Sequence, residues 1–275
     1  MEAGLSARKS CSLMGIARGT LDRQPSPDED AALRERPREV WRPNMGCRMA
    51  HALVRSKFEP LNVKRVHRLW KEEKTGRMRR CRKKRTGSSV PLSAEGPNHV
   101  WCVDICFDWA ENRSRLKVMA IQDEFTKERL ALEVGTSLKP LYLQSVLSRL
   151  FKERRTPSFL RSDNGPEFVS RSLAVFLSRS GTESRFIAPG SPWQNGRAES
   201  LVSRLRAELL GVGVFFNLAD AQMKLAAYRR CCNEHRPHSS LGYRSPADAA
   251  QVLELSRATP SFLPKLDMSI SEGSL

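Results

Sequence analysis

Apolar residues in this chain change their spacing after a basic run that ends at Arg85. Before it they recur at helical intervals; beyond it they alternate or run on as strands do. Residues 5–24 read as two short helices around a turn at Gly15, with Leu13, Met14, Ile16 and Leu21 apolar and Arg8, Lys9, Arg18 and Arg23 outside. Pro25, Pro27, Pro37 and Pro43 break any helix over 25–44. A second pair follows. His51-Ala52-Leu53-Val54 lies in its first helix, and Phe58-Glu59-Pro60-Leu61 interrupts. Asn62 then caps a helix with Val63, Val66 and Trp70 inward and Lys64, Arg65, Arg68 and Lys71 over the remaining surface.

Strand signals open the second half at Val100–Phe107, Leu116–Ile121 and Arg129–Val134, the last two joined by the polar turn Gln122–Lys127. A leucine-rich helix is expected over 140–153, a strand over Ser158–Arg161, a helix over Pro166–Ser178 and a strand over Ser184–Ala188. After the turn Pro189–Asn195 come helices from Gly196 to about Leu210, over 219–236 and over Pro246–Leu253. Strands followed by alternating helix and strand indicate an α/β domain with a mixed sheet. The expected organisation is a helical region at 1–76, a basic linker at 77–90, the α/β core with its C-terminal helices at 91–253, and a tail at 254–275.

Charge narrows the class of partner. The 275 residues carry 47 Lys+Arg against 30 Asp+Glu, a formal charge of +17, which favours a polyanion such as nucleic acid. Arg79, Arg80, Arg82, Lys83, Lys84 and Arg85 sit in a run that repels itself until phosphates neutralise it. With Lys64, Arg65 and Arg68 they are the candidate DNA contacts. Seven cysteines without a C-x-x-C pair argue against a disulfide framework and for a reducing compartment. Neither a signal-peptide pattern nor a membrane-length apolar run is present, so a cytoplasmic protein with no membrane partner is expected.

Three acids stand out against this basic background. Asp104 lies inside the apolar strand Val100–Phe107, Asp163 follows a short strand in Asp163-Asn164-Gly165, and Glu199 occupies the first turns of a helix. A charge in such a strand is costly unless it is paired or holds a metal. On the Glu199 helix, Ala198, Val202, Leu205 and Leu209 form the inward stripe, and Glu199 lies about 100° from Ala198, beside it. Clustered carboxylates suit hard ions such as Mg²⁺ or Mn²⁺, and two such ions can bind the attacking and leaving oxygens of an in-line phosphoryl displacement. Asp108, Asp123, Glu124 and Glu167 read instead as turn, cap or surface groups. Cys102 and Cys106 share Asp104's face and read as small apolar packers.

The flanks of these acids carry a specific resemblance. Trp101-x-x-Asp104, Asp163-Asn164-Gly165-Pro166-Glu167-Phe168 and Gln194-Asn195-Gly196-x-x-Glu199-Ser200 resemble the DD(35)E signature of retroviral-type integrase cores. More narrowly, they resemble the second-frame protein of insertion-sequence-three family transposases. Tyr228–Pro246, with Asn233-Glu234-His235-Arg236-Pro237-His238 inside it, is similar to that family's terminal signature, and Asn62–Trp70 to an upstream one. The resemblance spans residues 4 to 250. It implies a ribonuclease-H-like integrase core preceded by a small all-α helix-turn-helix region, with Asp104, Asp163 and Glu199 as catalytic metal ligands for Mg²⁺ or Mn²⁺, two ions in all. It also implies attack of a DNA 3′-hydroxyl on a phosphodiester, with double-stranded DNA (element ends and target) as partner, a homo-oligomer on DNA, and an upstream-frame helix-turn-helix protein or fusion.

This sequence departs from the family in places. Leu201-Val202-Ser203 stands where Phe-Asn-Gly is usual, and Cys232 where tyrosine is common. Two other readings stay open: a DNA-binding relic or regulator of transposition, and a metal-dependent nuclease on the same fold.

Overall fold

The computed structural model of the chain describes residues 6–17, 19, 30, 31, 33, 34, 45–55, 60–72, 93–186 and 196–258. The chain forms two compact units, Met1–Val40 and Trp41–Leu275. In the first, helix α1 (Ala7–Met14) closes at Gly15, whose φ of 66° puts it in the left-handed region that glycine adopts without strain. Cys11 is its buried residue, while Leu13 and Met14 are exposed, contrary to the expected apolar side. Leu13 lies about 200° around the helix from Cys11, so one face cannot bury both. The second helix expected over 18–24 falls outside the described residues apart from Gly19, as do Pro25, Pro27, Pro37 and Pro43.

The second unit begins with α2 (Cys47–Arg55) and α3 (Val63–Glu72), which pack together. Asn62 caps α3 as expected: its Oδ1 accepts the Lys64 N–H at 2.8 Å. The buried positions are Val66, Leu69 and Trp70, whereas Val63 is exposed. Val63 lies on the same side as Trp70, seven residues on, but as the first residue of the helix it stays exposed.

A five-stranded sheet follows, in the order β3-β2-β1-β4-β5. Its strands are β1 (Val100–Trp109), β2 (Arg115–Asp123), β3 (Arg129–Gly135), β4 (Phe159–Ser162) and β5 (Glu183–Phe186). The first three form an antiparallel meander; β4 and β5 add in parallel. Parallel pairing requires crossovers, and α4 (Pro140–Glu153) and α5 (Arg171–Arg179) supply them. After β5 come α6 (Gly196–Leu205), which runs on as a π-helical turn over Arg206–Leu210, then α7 (Leu218–Glu234) and α8 (Pro246–Ala258).

Strand alternation sends side chains to two cores. Trp101, Val103, Met119 and Ile121 meet Leu143, Leu147, Leu173 and Leu177 of α4 and α5. On the opposite face Cys106, Val118, Ala120 and Leu132 meet Leu201, Val202, Leu205, Leu225 and Tyr228 of α6 and α7. The helix–sheet–helix sandwich with a mixed sheet is the ribonuclease-H-like integrase core that the resemblance implied.

Two boundaries differ from expectation. Helix α5 begins at Arg171 rather than near Pro166, because residues 166–168 turn around Gly165 and the Ser170 hydroxyl accepts from Leu173 N. Helix α8 runs to Ala258, past the start of the expected tail. On α6, Leu201 joins Ala198, Val202 and Leu205 in the core, and the π turn moves burial from Leu209 to Leu210. The unusual Leu201-Val202 pair is therefore core packing.

Candidate active site

Two neighbouring parallel strands bring the first two acids together. The β1–β4 register pairs Val100 with Phe159, Trp101 with Leu160 and Cys102 with Arg161. Carried two residues further, it sets Asp104 opposite Asp163, just past the end of β4. Asp163 leaves the strand through a tight turn in which its Oδ1 accepts the Gly165 N–H at 3.0 Å. A Cβ on Gly165 would stand 3.0 Å from both Asp163 Oδ1 and Glu167 Oε2, so glycine here is a matter of space. The third acid, Glu199, is exposed in the first turn of α6, which packs across β1 and β2.

The electrostatics tie the three into one group. Burial pushes the Asp104 carboxyl up to about 6, against the Ile105 N–H that stabilises its charge; the Asp163 and Glu199 carboxylates push it further, and Arg206 pulls it back. Asp104 thus resists ionising beside its two neighbours, the condition that a divalent cation among them relieves. Three hard oxygen donors fit Mg²⁺ or Mn²⁺. As the side chains stand, no group of three or more His, Cys, Asp or Glu among the described residues is gathered closely enough to grip an ion.

Arg206 was not singled out from the sequence. It sits two turns beyond Glu199 on the same side of the helix, and it also hydrogen-bonds Cys106, whose thiol burial pushes up to about 11. The π turn places it: Gly211 N–H bonds Arg206 O at 2.7 Å, and a Cβ on Gly211 would come within 2.9 Å of that oxygen. The seven-residue spacing from Glu199 was the available signal.

The four acids read as turn, cap or surface groups divide. Asp123 fits that reading, its Oδ1 accepting from Phe125 N and Thr126 N. Glu124 is a turn residue too, but a buried one: its side chain is 0% exposed and is held by Arg161 and Arg197 at 2.8 and 3.1 Å. Two cations neutralise its charge, which is what permits burial. Glu167 is a half-buried partner of Lys117 beside the Asp163 turn. Asp108 lies within β1, with Oδ2 buried and lacking a hydrogen bond.

Of the candidate DNA contacts, Lys64, Arg65 and Arg68 are exposed on α3. Arg79, Arg80, Arg82, Lys83, Lys84 and Arg85 lie outside the described residues, as do Trp193, Gln194 and Asn195 of the turn before α6. No helix among the described residues is long and apolar enough to cross a membrane.

Comparison with known proteins agrees with this architecture. Two models described as integrase core domain match the chain, over residues 94–192 and 180–246. An uncharacterized 31.7 kDa protein of insertion element IS407 from Burkholderia multivorans is 35% identical over 272 residues, 96% of this chain and 98% of its own length. Transposase InsD for insertion element IS2 from Escherichia coli is 27% identical over 223 residues, 75% of this chain and 73% of its own. The HTLV-2 integrase catalytic core domain, solved in complex with magnesium, aligns over 58% of this chain and 99% of its own, with a TM-score of 0.41 and 13% identity.

Proposed function

The chain belongs to the integrase-core family of insertion-element proteins, and on that membership we propose that it is a DDE-type transposase that cuts and joins DNA strands. One observation supports the reading: the β1–β4 register sets Asp104 opposite Asp163, and α6, which bears Glu199, packs across β1.

Asp104, Asp163 and Glu199 would hold the divalent ions. When bound, Mg²⁺ or Mn²⁺ supplies the positive charge that polarises the phosphodiester and makes a hydroxyl a competent nucleophile. The chain's own groups position the substrate. Lys64, Arg65 and Arg68 on α3, with the basic run from Arg79 to Arg85, engage backbone phosphates of element ends and target. Arg206, beside Asp104, adds a cation where phosphate charge collects. In the joining step a DNA 3′-oxygen forms a bond to the target phosphorus as the target's own P–O bond breaks, and the departing oxygen takes up a proton. One phosphodiester replaces another, so no high-energy cofactor is consumed. Residues 1–76 act as the DNA-binding region, and the protein works as a homo-oligomer on DNA, alone or fused to an upstream-frame helix-turn-helix protein.

The test uses the full chain, a duplex with a free 3′-hydroxyl matching an element end, a target plasmid, and Mg²⁺ or Mn²⁺. Joined product from the wild type and none from Asp163→Asn is the expected result. Cleavage by water without joining would move the assignment to a nuclease. DNA binding with no metal-dependent product, unaltered by Asp163→Asn, would overturn it in favour of a relic.

A further inference from the structure

The side of α6 turned away from Glu199 lines a second, basic site. Arg197, Ser200, Leu201 and Arg204 recur at helical spacing and face a cavity of about 270 Å³, closed by the β2–β3 turn and the segment after α7. Taken together, these positions lie roughly 150° around the helix from Glu199. Lys127, Arg129 and Arg236 complete the cationic lining, with His238, Ser239 and Ser240 at the wall.

Positive charge there exceeds what the neighbouring acids neutralise. Glu124 is shared between Arg161 and Arg197, and Glu208 is taken by Arg236. Among the described residues, Lys127, Arg129 and Arg204 have no carboxylate within 4.0 Å. Arg129 has a structural role as well, stacked 4.5 Å over the Tyr228 ring and donating to Cys232 Sγ. Lys127 Nζ donates to the Glu124 carbonyl and Arg204 to His238, bonds that leave each cation with further donors. The crowding registers chemically: burial and then Arg236 and Arg129 lower the pKa of Arg204, and burial and then Arg197 lower that of Lys127.

Two details show the cations being held in place. Neutral His238 offers Nε2 to Arg204 NH1 at 2.7 Å, and its Nδ1 lies 2.9 Å from Ser240 Oγ. This orients a guanidinium without adding charge. Lys127 sits at φ 62°, a conformation that costs a non-glycine residue about 1 kcal/mol. Its carbonyl accepts from Gln122 Nε2 at 2.7 Å, pinning a strained residue whose side chain is a cation.

We propose that this cavity binds a phosphate group, gripped by Arg204, Arg197 and Lys127 with the serine hydroxyls as further donors. Guanidinium pairs match phosphate oxygens in bidentate fashion, and a cavity of about 270 Å³ admits phosphate with part of its hydration. A phosphodiester of bound DNA is the source favoured by the function proposed above, on which that assignment rests; free inorganic phosphate shares the chemistry.

The experiment uses the full chain without divalent ions, so that it reads binding independently of strand joining. Thermal melting is followed in low-millimolar inorganic phosphate against chloride at equal ionic strength. Duplex-DNA affinity is followed against salt, in wild type and Lys127→Gly, glycine being the residue that suits φ 62°. Phosphate should raise the wild-type melting temperature and leave the variant unmoved, and the slope of log K against log salt should fall by about one in the variant. A change in slope identifies the phosphate as DNA's; a melting response without it identifies a free anion. A wild type indifferent to phosphate, with the same slope in both proteins, overturns the site. Because that wild-type result does not depend on any substitution, a poorly folded variant cannot decide it.

Discussion

Helix α6 carries two polar sites of opposite sign. On one side Glu199 joins Asp104 and Asp163 at the ends of parallel strands; on the other Arg197 and Arg204 join Lys127, Arg129 and Arg236 around a cavity. Like charges are crowded in both, and both raise the cost of holding those charges in the fold. The acidic group carries more negative charge than Arg206 offsets, and the basic group more positive charge than Glu124 and Glu208 offset; a divalent cation and a phosphate are the ligands that such excesses suit. One buried helix thus fixes both sites relative to each other, its apolar stripe anchored by Ala198, Val202 and Leu205.

Substitutions should separate the two sides. Asp163→Asn is expected to reduce strand joining by on the order of a thousandfold, the several kcal/mol that metal stabilisation of the transition state supplies. Lys127→Gly should weaken DNA binding and leave the joining of bound DNA within about tenfold, a loss of little more than 1 kcal/mol. Equal losses of joining from both would merge the two sites into one.

Stability gives a second contrast. Arg161→Met leaves Glu124, whose side chain is fully buried, with Arg197 as its remaining cation within ion-pair distance. Denaturant unfolding should show a loss of about 3 kcal/mol, the cost of breaking a buried pair by removing one partner. A loss under about 1 kcal/mol would mean that Arg197 alone suffices.

The smallest effect concerns His238. Burial, then Arg204, Lys127, Arg236 and Arg129, hold its pKa down to about 3, below the unfolded value near 6.5. Between these values the unfolded chain binds a proton that the folded chain does not. Stability is therefore complete above pH 6.5 and lost as pH falls toward 3. Relative to His238→Gln, the wild type should lose about 1 kcal/mol of unfolding free energy between pH 7 and 5.5. Parallel pH profiles would place the cations farther from His238 than the structure does.

The two sides also differ in how far the chain announces them. Each acid is embedded in local sequence that betrays it: a charge inside the apolar run Val100–Phe107, an Asn-Gly exit after Asp163, and a helix start before Glu199. Strand alternation and helical period then suffice to draw the sheet and most element bounds. The basic cavity has no such signature. Its cations come from the β2–β3 turn, β3, α6, and the segment after α7, each an ordinary arginine or lysine when read alone. The burial of Glu124 was hidden for the same reason: it is the turn residue its neighbours suggest, but Arg161 from β4 and Arg197 from α6 bury it. Val63 and Leu209 show the finer limit: the first residue of a helix can stay exposed on its apolar side, and a π turn shifts which position of an apolar series faces inward.

Divalent-ion binding by the full chain is the most direct test of the acidic group. Titration calorimetry with Mn²⁺ would compare the wild type with Asp104→Asn, Asp163→Asn and Glu199→Gln. If the three carboxylates form one site, every substitution should weaken binding by at least about tenfold, or 1.4 kcal/mol. A Glu199→Gln protein that binds Mn²⁺ as tightly as the wild type would contradict the account, leaving a two-aspartate site with α6 outside it.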